Sequence, residues 1–83
     1  MNEYPLHHPQ QLAPILRALR KHAGLSQADL AARLGVTHQA ISALERRPEA
    51  ATLVRLMRVL SVLKVDIVLS PRKPAKASEP GDW

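Results

Sequence analysis

Apolar and polar residues in this chain alternate with the helical repeat over most of its length. Between residues 12 and 23 the apolar side chains recur at i, i+3, i+4, i+7 and i+11, which predicts an amphipathic first helix; they are Leu12, Ile15, Leu16, Leu19 and Ala23. Pro9 suits a first helical position, whereas Pro14 lacks a backbone donor one turn later. The sequence leaves two alternatives: a helix kinked at Pro14, or a helix that begins there after a short turn.

The stretch from Gln27 to Leu44 predicts two short helices that cross at a tight turn. Ser26 and Asp29 have the spacing of a capping box at the start of the first of these helices. Thr37 is a suitable N-cap for the second. Gly35 lies between them, where the chain leaves a helix and needs the positive φ that glycine tolerates.

Ala31 is placed where the two short helices must touch, and only a small side chain permits that approach. A small residue, a glycine and a β-branched residue at these separations are typical of a DNA-reading helix-turn-helix, whose second helix enters the major groove. A generic helical hairpin would also need leucines in its core, but it would not need a small residue, a glycine and a β-branched residue at these separations. We therefore favour the helix-turn-helix, with a core that includes Ala31, Leu34, Ile41, Leu44, Leu56 and Leu60.

The last third of the chain predicts a fourth helix and one short strand. The helix starts near Thr52 and carries apolar residues on one face, namely Leu53, Leu56, Met57 and Leu60; a further set, Val54, Val59, Val62 and Leu63, widens this face beyond what a small monomer core requires. In residues 65–70 the apolar positions no longer follow the helical repeat, and β-branched side chains are frequent, as in a strand. A lone strand needs a partner, and we expect the same strand of a second copy, paired through Val65, Ile67 and Leu69.

These patterns predict an all-α fold, a four- to five-helix repressor-like helix-turn-helix domain with one C-terminal strand pairing across a homodimer. Residues 1–8 are expected to form an N-terminal arm, residues 9–70 the domain with its dimerisation strand, and residues 71–83 a disordered tail. The tail contains three prolines and the chain's single tryptophan. We expect Trp83 to be free for contact with a partner or a protease.

Composition and charge limit the classes of protein to which this chain can belong. The chain has 83 residues, no Phe and no Cys, so its core is aliphatic and neither a disulfide nor a cysteine zinc site is possible. A chain this short buries only about 60% of its unfolded surface, so a dimer interface or a partner is expected to supply the rest of the buried surface. The formal charge of +5 favours a polyanionic partner. No apolar run approaches a membrane span and the N-terminus lacks a signal peptide's hydrophobic centre, so a cytoplasmic protein is expected.

An enzymatic function is not favoured by the sequence. The four histidines, at positions 7, 8, 22 and 38, lie in different predicted elements without an acidic partner at a ligand-like spacing. The three glycines are separate and form no phosphate loop. We therefore expect no catalytic site, no cofactor and no bound metal.

The second helix of the motif starts with His38 and Gln39 and has no acidic residue in its first turn, where a carboxylate would repel DNA. The amide of Gln39 can bond adenine, and His38 can donate to or accept from a base edge. Gln27 begins the preceding helix, where a helix end meets phosphate. The predicted DNA-binding set is Gln27, Thr37, His38, Gln39, Ser42, Arg46 and Arg47.

Each of these assignments has a plainer alternative. Gln27 and Gln39 fit ordinary exposed helix polarity, and the orientation of His38 is not determined by the sequence. Thr37 and Ser42 offer short hydroxyls to phosphate or to a base. Arg46 and Arg47, placed just past the helix, either clamp the DNA backbone or form a solvated pair of charges.

Over residues 9–63 the chain resembles the Xre-type family of bacterial and phage repressor domains. The matching residues are Gly24-Leu25-Ser26-Gln27, Leu30-Ala31, Leu34-Gly35, Ile41-Ser42 and Leu44-Glu45. In that family an arginine at the position of Arg20 usually forms an internal ion pair with a glutamate at the position of Glu45. Both residues are present here, so the resemblance implies a structural ion pair between them.

Over almost its full length the chain is similar to the HipB-type antitoxin subfamily, including the Asp82-Trp83 ending. This resemblance implies a homodimer that binds double-stranded DNA at an inverted-repeat operator, represses its own operon and binds a HipA-like Ser/Thr kinase toxin. His38, Gln39 and Ala40 need not contact the same bases as in relatives, so the operator sequence does not transfer. Two alternatives remain: a protein-interaction subunit of a kinase complex, and a stand-alone Xre-type repressor without a toxin.

Overall fold

The computed structural model describes residues 3–72, so Trp83 and most of the predicted tail lie outside the described residues. Four α-helices make up the domain: α1 (Leu12–His22), α2 (Gln27–Leu34), α3 (His38–Arg46) and α4 (Leu53–Val62). Short 3-10 turns at Pro9–Gln11 and Pro48–Ala50 precede α1 and α4. The predicted all-helical helix-turn-helix fold is confirmed. No helix in the described range is long and apolar enough to cross a membrane.

The start of α1 shows how the chain accommodates two prolines. Pro9 begins the 3-10 turn, and the α-helix begins at Leu12, after that turn. Pro14 is then the third helical residue, within the first turn, where N–H groups have no partner inside the helix. No helical hydrogen bond is lost. Of the two alternatives, the chain adopts a helix that follows a short turn, although it begins two residues before Pro14.

Side-chain caps fix the first turns of α2, α3 and α4. The Ser26 hydroxyl accepts a hydrogen bond from the Asp29 backbone N–H at 3.0 Å, and the Asp29 carboxylate accepts one from the Ser26 N–H at 2.9 Å, which confirms the capping box. The Ser26 backbone N–H, which donates to the Asp29 carboxylate, lowers the pKa of Asp29, and the adjacent Ser26 side chain lowers it further. The hydroxyls of Thr37 and Thr52 likewise accept bonds from backbone amides three residues further on.

Three of the helices are followed, within two residues, by a residue with positive φ. Gly24 has φ 75° after α1 and Gly35 has φ 70° after α2, as predicted for Gly35. Lys64, after α4, has φ 60°, a conformation that costs a residue with a Cβ atom free energy. At each end the next residue donates its N–H to the carbonyl five residues earlier, at 2.9 to 3.2 Å. Lys64 thus occupies, after α4, the position that glycine occupies after α1 and α2.

The core lies between α1, α2, α3 and α4 and contains aliphatic side chains alone. Its buried members are Leu16, Leu30, Ala31, Ile41, Leu44, Val59, Leu60 and Leu63. Burial is confirmed for four of the six predicted core residues. Leu34 and Leu56 are only partly buried and pack at the edge of this cluster, because they lie on helix faces that turn toward solvent.

The apolar face predicted for α4 is only partly buried. Val59 and Leu60 are buried, whereas Leu53 and Met57 are 64% and 51% exposed. With Val54, they form an apolar surface that continues into the segment after α4. Residues 65–72 form neither helix nor strand in the single chain. The pairing of residues 65–70 with a second copy therefore stays a prediction.

Candidate nucleic-acid interface

Helices α2 and α3 form the helix-turn-helix pair. Ala31 on α2 is 3% exposed and Ile41 on α3 is 1% exposed, and both belong to the common core. A small residue on α2 allows α3 to pack closely while its opposite side stays in solvent. The turn at Gly35 positions Thr37 as the N-cap, so the N-terminal end of α3 is held at the surface.

The predicted DNA contacts on α3 fall along its exposed side. Thr37, His38 and Gln39 are exposed at the N-terminal end, and no acidic residue lies in this first turn. Ser42 is half-buried one turn further on, so it is less available than predicted. Arg46 was expected just past the helix, but α3 continues through Arg46 and ends there. Arg46 and Arg47 are both exposed at this C-terminal end.

A buried ion pair joins α1 to α3. The Arg20 Nε atom donates to Glu45 Oε2 at 2.6 Å, and its Nη2 atom donates to Glu45 Oε1 at 3.2 Å. The Arg20 Nη1 atom donates to the Leu25 carbonyl at 2.9 Å. The two charged side chains are 9% and 3% exposed. Arg20 and Glu45, which the resemblance implied to be paired, therefore fix the position of α3 relative to the rest of the domain.

Gln27 connects this ion pair to the surface. Its Nε2 atom donates to Glu45 Oε1 at 3.1 Å, and its Oε1 atom lies 2.9 Å from His38 Nε2. The side chain predicted to contact phosphate is thus half-buried and bonded on both sides. The sequence did not predict this bridge, because Gln27 lies on α2 and is 11 and 18 positions away from its two partners on α3.

The residues predicted to form the dimer follow α4. Val65 is half-buried and packs against the core, whereas Ile67 and Leu69 are 48% and 88% exposed. Met57 and Ile67 line the same shallow cleft between α4 and the segment that follows it. The exposed apolar residues of this region define a surface that we call the α4 strip: Leu53, Val54, Met57, Ile67, Val68 and Leu69.

Across residues 3–72, no three side chains from His, Asp and Glu lie together as a metal site would require. The exposed side of α3 offers a different set of polar groups. It presents hydroxyl, amide, imidazole and guanidinium groups along α3, all of which can bond phosphate oxygens or base edges.

Proteins of known family are similar to this chain over most of its length. A family model described as helix-turn-helix matches residues 16–69. Antitoxin HipB of Escherichia coli (strain K12) is 29% identical over 75 residues, which cover 90% of this chain and 85% of HipB. An uncharacterized HTH-type transcriptional regulator, y4dL of Sinorhizobium fredii, is 41% identical over 58 residues, 70% of this chain and 30% of that protein.

Solved structures with the same fold carry related names. A chain of the HipB-O4 20mer complex superposes with a TM-score of 0.77 at 28% identity, covering 86% of this chain and 100% of that chain. A chain of the HipA-HipB-O2-O3 complex gives the same TM-score, identity and coverages. The family match covers more than half of the chain and the fold agrees along it. This chain belongs to the Xre-type helix-turn-helix family and is similar to HipB antitoxins.

Proposed function

We propose that this chain is a sequence-specific DNA-binding repressor that acts as the antitoxin of a HipA-like kinase and represses its own operon. The observation that carries the DNA-binding part is the N-terminal end of α3. This end is exposed, capped by Thr37 and free of acidic side chains, and it presents His38 and Gln39 to solvent. A helix end of this kind is what a major groove accepts.

The contacts divide into those that position the protein and those that specify sequence. Gln39 bonds a base edge through its amide, with adenine as the matching base. Arg46 and Arg47 neutralise phosphates at the other end of α3, and the hydroxyls of Thr37 and Ser42 add contacts to the backbone or to a base. Phosphate contacts supply affinity without selectivity, so sequence preference depends on the first turn of α3.

The α4 strip supports a homodimer. Its six side chains are between 48% and 88% exposed, and this is a large apolar surface for a domain whose core is small. A two-fold axis through this strip would bury it and allow residues 65–70 of the two copies to pair as antiparallel strands. The two α3 helices would then lie about one DNA turn apart, roughly 34 Å, so the operator would be an inverted repeat.

The toxin partner is supported by similarity alone. HipB is named an antitoxin, and a solved relative comes from a HipA-HipB-O2-O3 complex. The alternatives are a stand-alone repressor and an interaction subunit with weak DNA affinity. DNA binding and kinase binding are measured separately to distinguish these possibilities.

DNA binding is tested by fluorescence anisotropy with the segment upstream of the protein's own gene and a scrambled duplex of the same composition. We expect tighter binding to the upstream segment. A dimer with 6–10 phosphate contacts should lose on the order of 10³–10⁵ in affinity between about 50 and 200 mM salt. Equal affinity for both duplexes would contradict a sequence-specific repressor.

The antitoxin role is tested by co-expression with a HipA-like Ser/Thr kinase, followed by size-exclusion chromatography. We expect coelution, and we expect it to persist when Arg46 and Arg47 are both replaced by Glu, a change that should abolish DNA binding. Coelution together with no specific DNA binding by the wild type would favour the interaction subunit. Specific DNA binding without coelution would favour the stand-alone repressor.

A further inference from the structure

A continuous chain of hydrogen bonds runs from the buried ion pair to the surface of α3. It passes from Arg20 to Glu45, from Glu45 to Gln27, and from Gln27 to His38, with successive donor–acceptor distances of 2.6, 3.1 and 2.9 Å. Arg20 and Glu45 are buried, Gln27 is half-buried and His38 is exposed. The state of His38 is therefore coupled to groups that solvent does not reach.

The chemistry of the buried end fixes the orientation of the Gln27 amide. Both carboxylate oxygens of Glu45 accept N–H groups from Arg20, so Glu45 has no proton to offer Gln27. The Gln27 atom that faces Glu45 must then be its NH₂ nitrogen. Rotating the amide by half a turn would bring two acceptors together at 3.1 Å. The Gln27 oxygen is consequently the atom that faces His38.

A carbonyl oxygen can only accept, so the ring nitrogen of His38 that faces it must carry the hydrogen. That nitrogen is Nε2, 2.9 Å from Gln27 Oε1. In the neutral ring the other nitrogen, Nδ1, then has a free lone pair and acts as an acceptor. The tautomer of a surface histidine thus follows from the donors and acceptors around a carboxylate in the core.

We propose that Glu45, acting through Gln27, holds His38 as its Nε2–H tautomer, so that His38 presents an acceptor to DNA and favours adenine or cytosine at the base it meets. Gln27 is a positioning residue in this proposal. The tautomer follows from the free protein alone, whereas the base preference rests on the proposed DNA-binding function.

The base preference follows from the edges exposed in the major groove. Adenine offers an N6 donor and cytosine an N4 donor, while guanine and thymine present acceptors to an approaching group. A ring nitrogen with a lone pair bonds the first two and is repelled by the others. One hydrogen bond of this kind corresponds to about 3- to 10-fold in affinity between a matching and a mismatched base.

The tautomer is measured by NMR on the ¹⁵N-labelled full chain near neutral pH, from the two-bond and three-bond proton–nitrogen couplings of the His38 ring. The matched variants are Gln27→Met, which removes the acceptor but keeps an unbranched side chain of similar size, and Gln10→Met, the same change at an exposed position outside the chain of hydrogen bonds. We expect a pure Nε2–H ring in the wild type and in Gln10→Met. In Gln27→Met we expect a mixture of tautomers and faster exchange of the Nε2 proton.

Base preference is measured by selection from randomised duplexes with the same three proteins. Adenine or cytosine should be enriched about 3- to 10-fold at one position per half-site by the wild type and Gln10→Met, and not by Gln27→Met. A wild-type ring with its proton on Nδ1, or a tautomer ratio that Gln27→Met leaves unchanged, would overturn the proposal even if DNA binds. A pure Nε2–H ring in a protein that selects no sequence would instead overturn the proposed function and leave the tautomer assignment standing.

Discussion

Replacing Glu45 by Leu, which leaves Arg20 in place, should destabilise the domain more than any surface substitution. The Arg20 side chain is 9% exposed and donates to both Glu45 oxygens. Without the carboxylate, a buried guanidinium keeps only the Leu25 carbonyl among these acceptors. Removing one partner of a buried ion pair costs about 3–5 kcal/mol. The whole domain is expected to have roughly 4–12 kcal/mol of stability, so the variant loses a large fraction of it.

The reverse variant and the double variant separate the two contributions. Arg20→Met strands the Glu45 carboxylate, 3% exposed, with Gln27 as its remaining donor, and should cost a similar 3–5 kcal/mol. The double variant, Arg20→Met with Glu45→Leu, buries no charge and should recover most of the loss, because apolar residues of similar volume often replace buried ion pairs at little cost. The single losses should therefore be strongly non-additive.

Urea unfolding followed by circular dichroism at 222 nm measures these free energies of unfolding. Arg17→Met, the same substitution at an exposed position of α1, is the matched control and should change stability by less than about 0.5 kcal/mol. If the free energies of unfolding of the single variants lie within about 1 kcal/mol of the wild type, the unpaired charge is not costly in this core. A double variant as unstable as the sum of the two single variants would contradict the predicted non-additivity.

Three further predictions test other features of the fold. Lys64→Gly should raise the free energy of unfolding by about 1 kcal/mol, and Gly35→Ala should lower it by a similar amount, because both positions have positive φ. The pKa of Asp29 is lowered in the folded state. Its capping contribution to stability is therefore complete above the ordinary carboxyl pKa of about 4 and is lost as pH falls through the folded pKa. The difference in free energy of unfolding between the wild type and Asp29→Asn should shrink in acid. Ile67→Pro should remove a ladder hydrogen bond and shift the dimer toward monomer in analytical ultracentrifugation, and an unchanged sedimentation coefficient would contradict strand pairing.

Local signals in the sequence predicted the elements that depend on neighbouring residues. Ser26 and Asp29 specify the start of α2, and Gly35 its end, because a cap or a positive φ requires particular side chains at fixed spacing. Ala31 is buried as expected for a small residue between two packed helices. The helix-turn-helix could therefore be identified from short segments alone.

Features that depend on distant residues were not predictable in this way. Apolar residues cover most of the surface of α4, so periodicity could not decide that Val59 is buried while Leu53 and Met57 are exposed. Lys64 ends α4 in a conformation for which its side chain gives no signal. The bridge through Gln27 joins α2 to both ends of α3, over 11 and 18 positions, and has no counterpart in local spacing.

Gln39→Ala tests whether the first turn of α3 specifies a DNA sequence. Gln39 is exposed and lies one residue inside α3, so its removal should leave the core and the ion pair intact. Affinity for the upstream duplex and for a random duplex is measured at one salt concentration, with Gln10→Ala as the matched control. We expect a loss of roughly 1–3 kcal/mol on the upstream duplex and little change on random DNA. Equal losses on both duplexes, or no loss on either, would contradict this expectation.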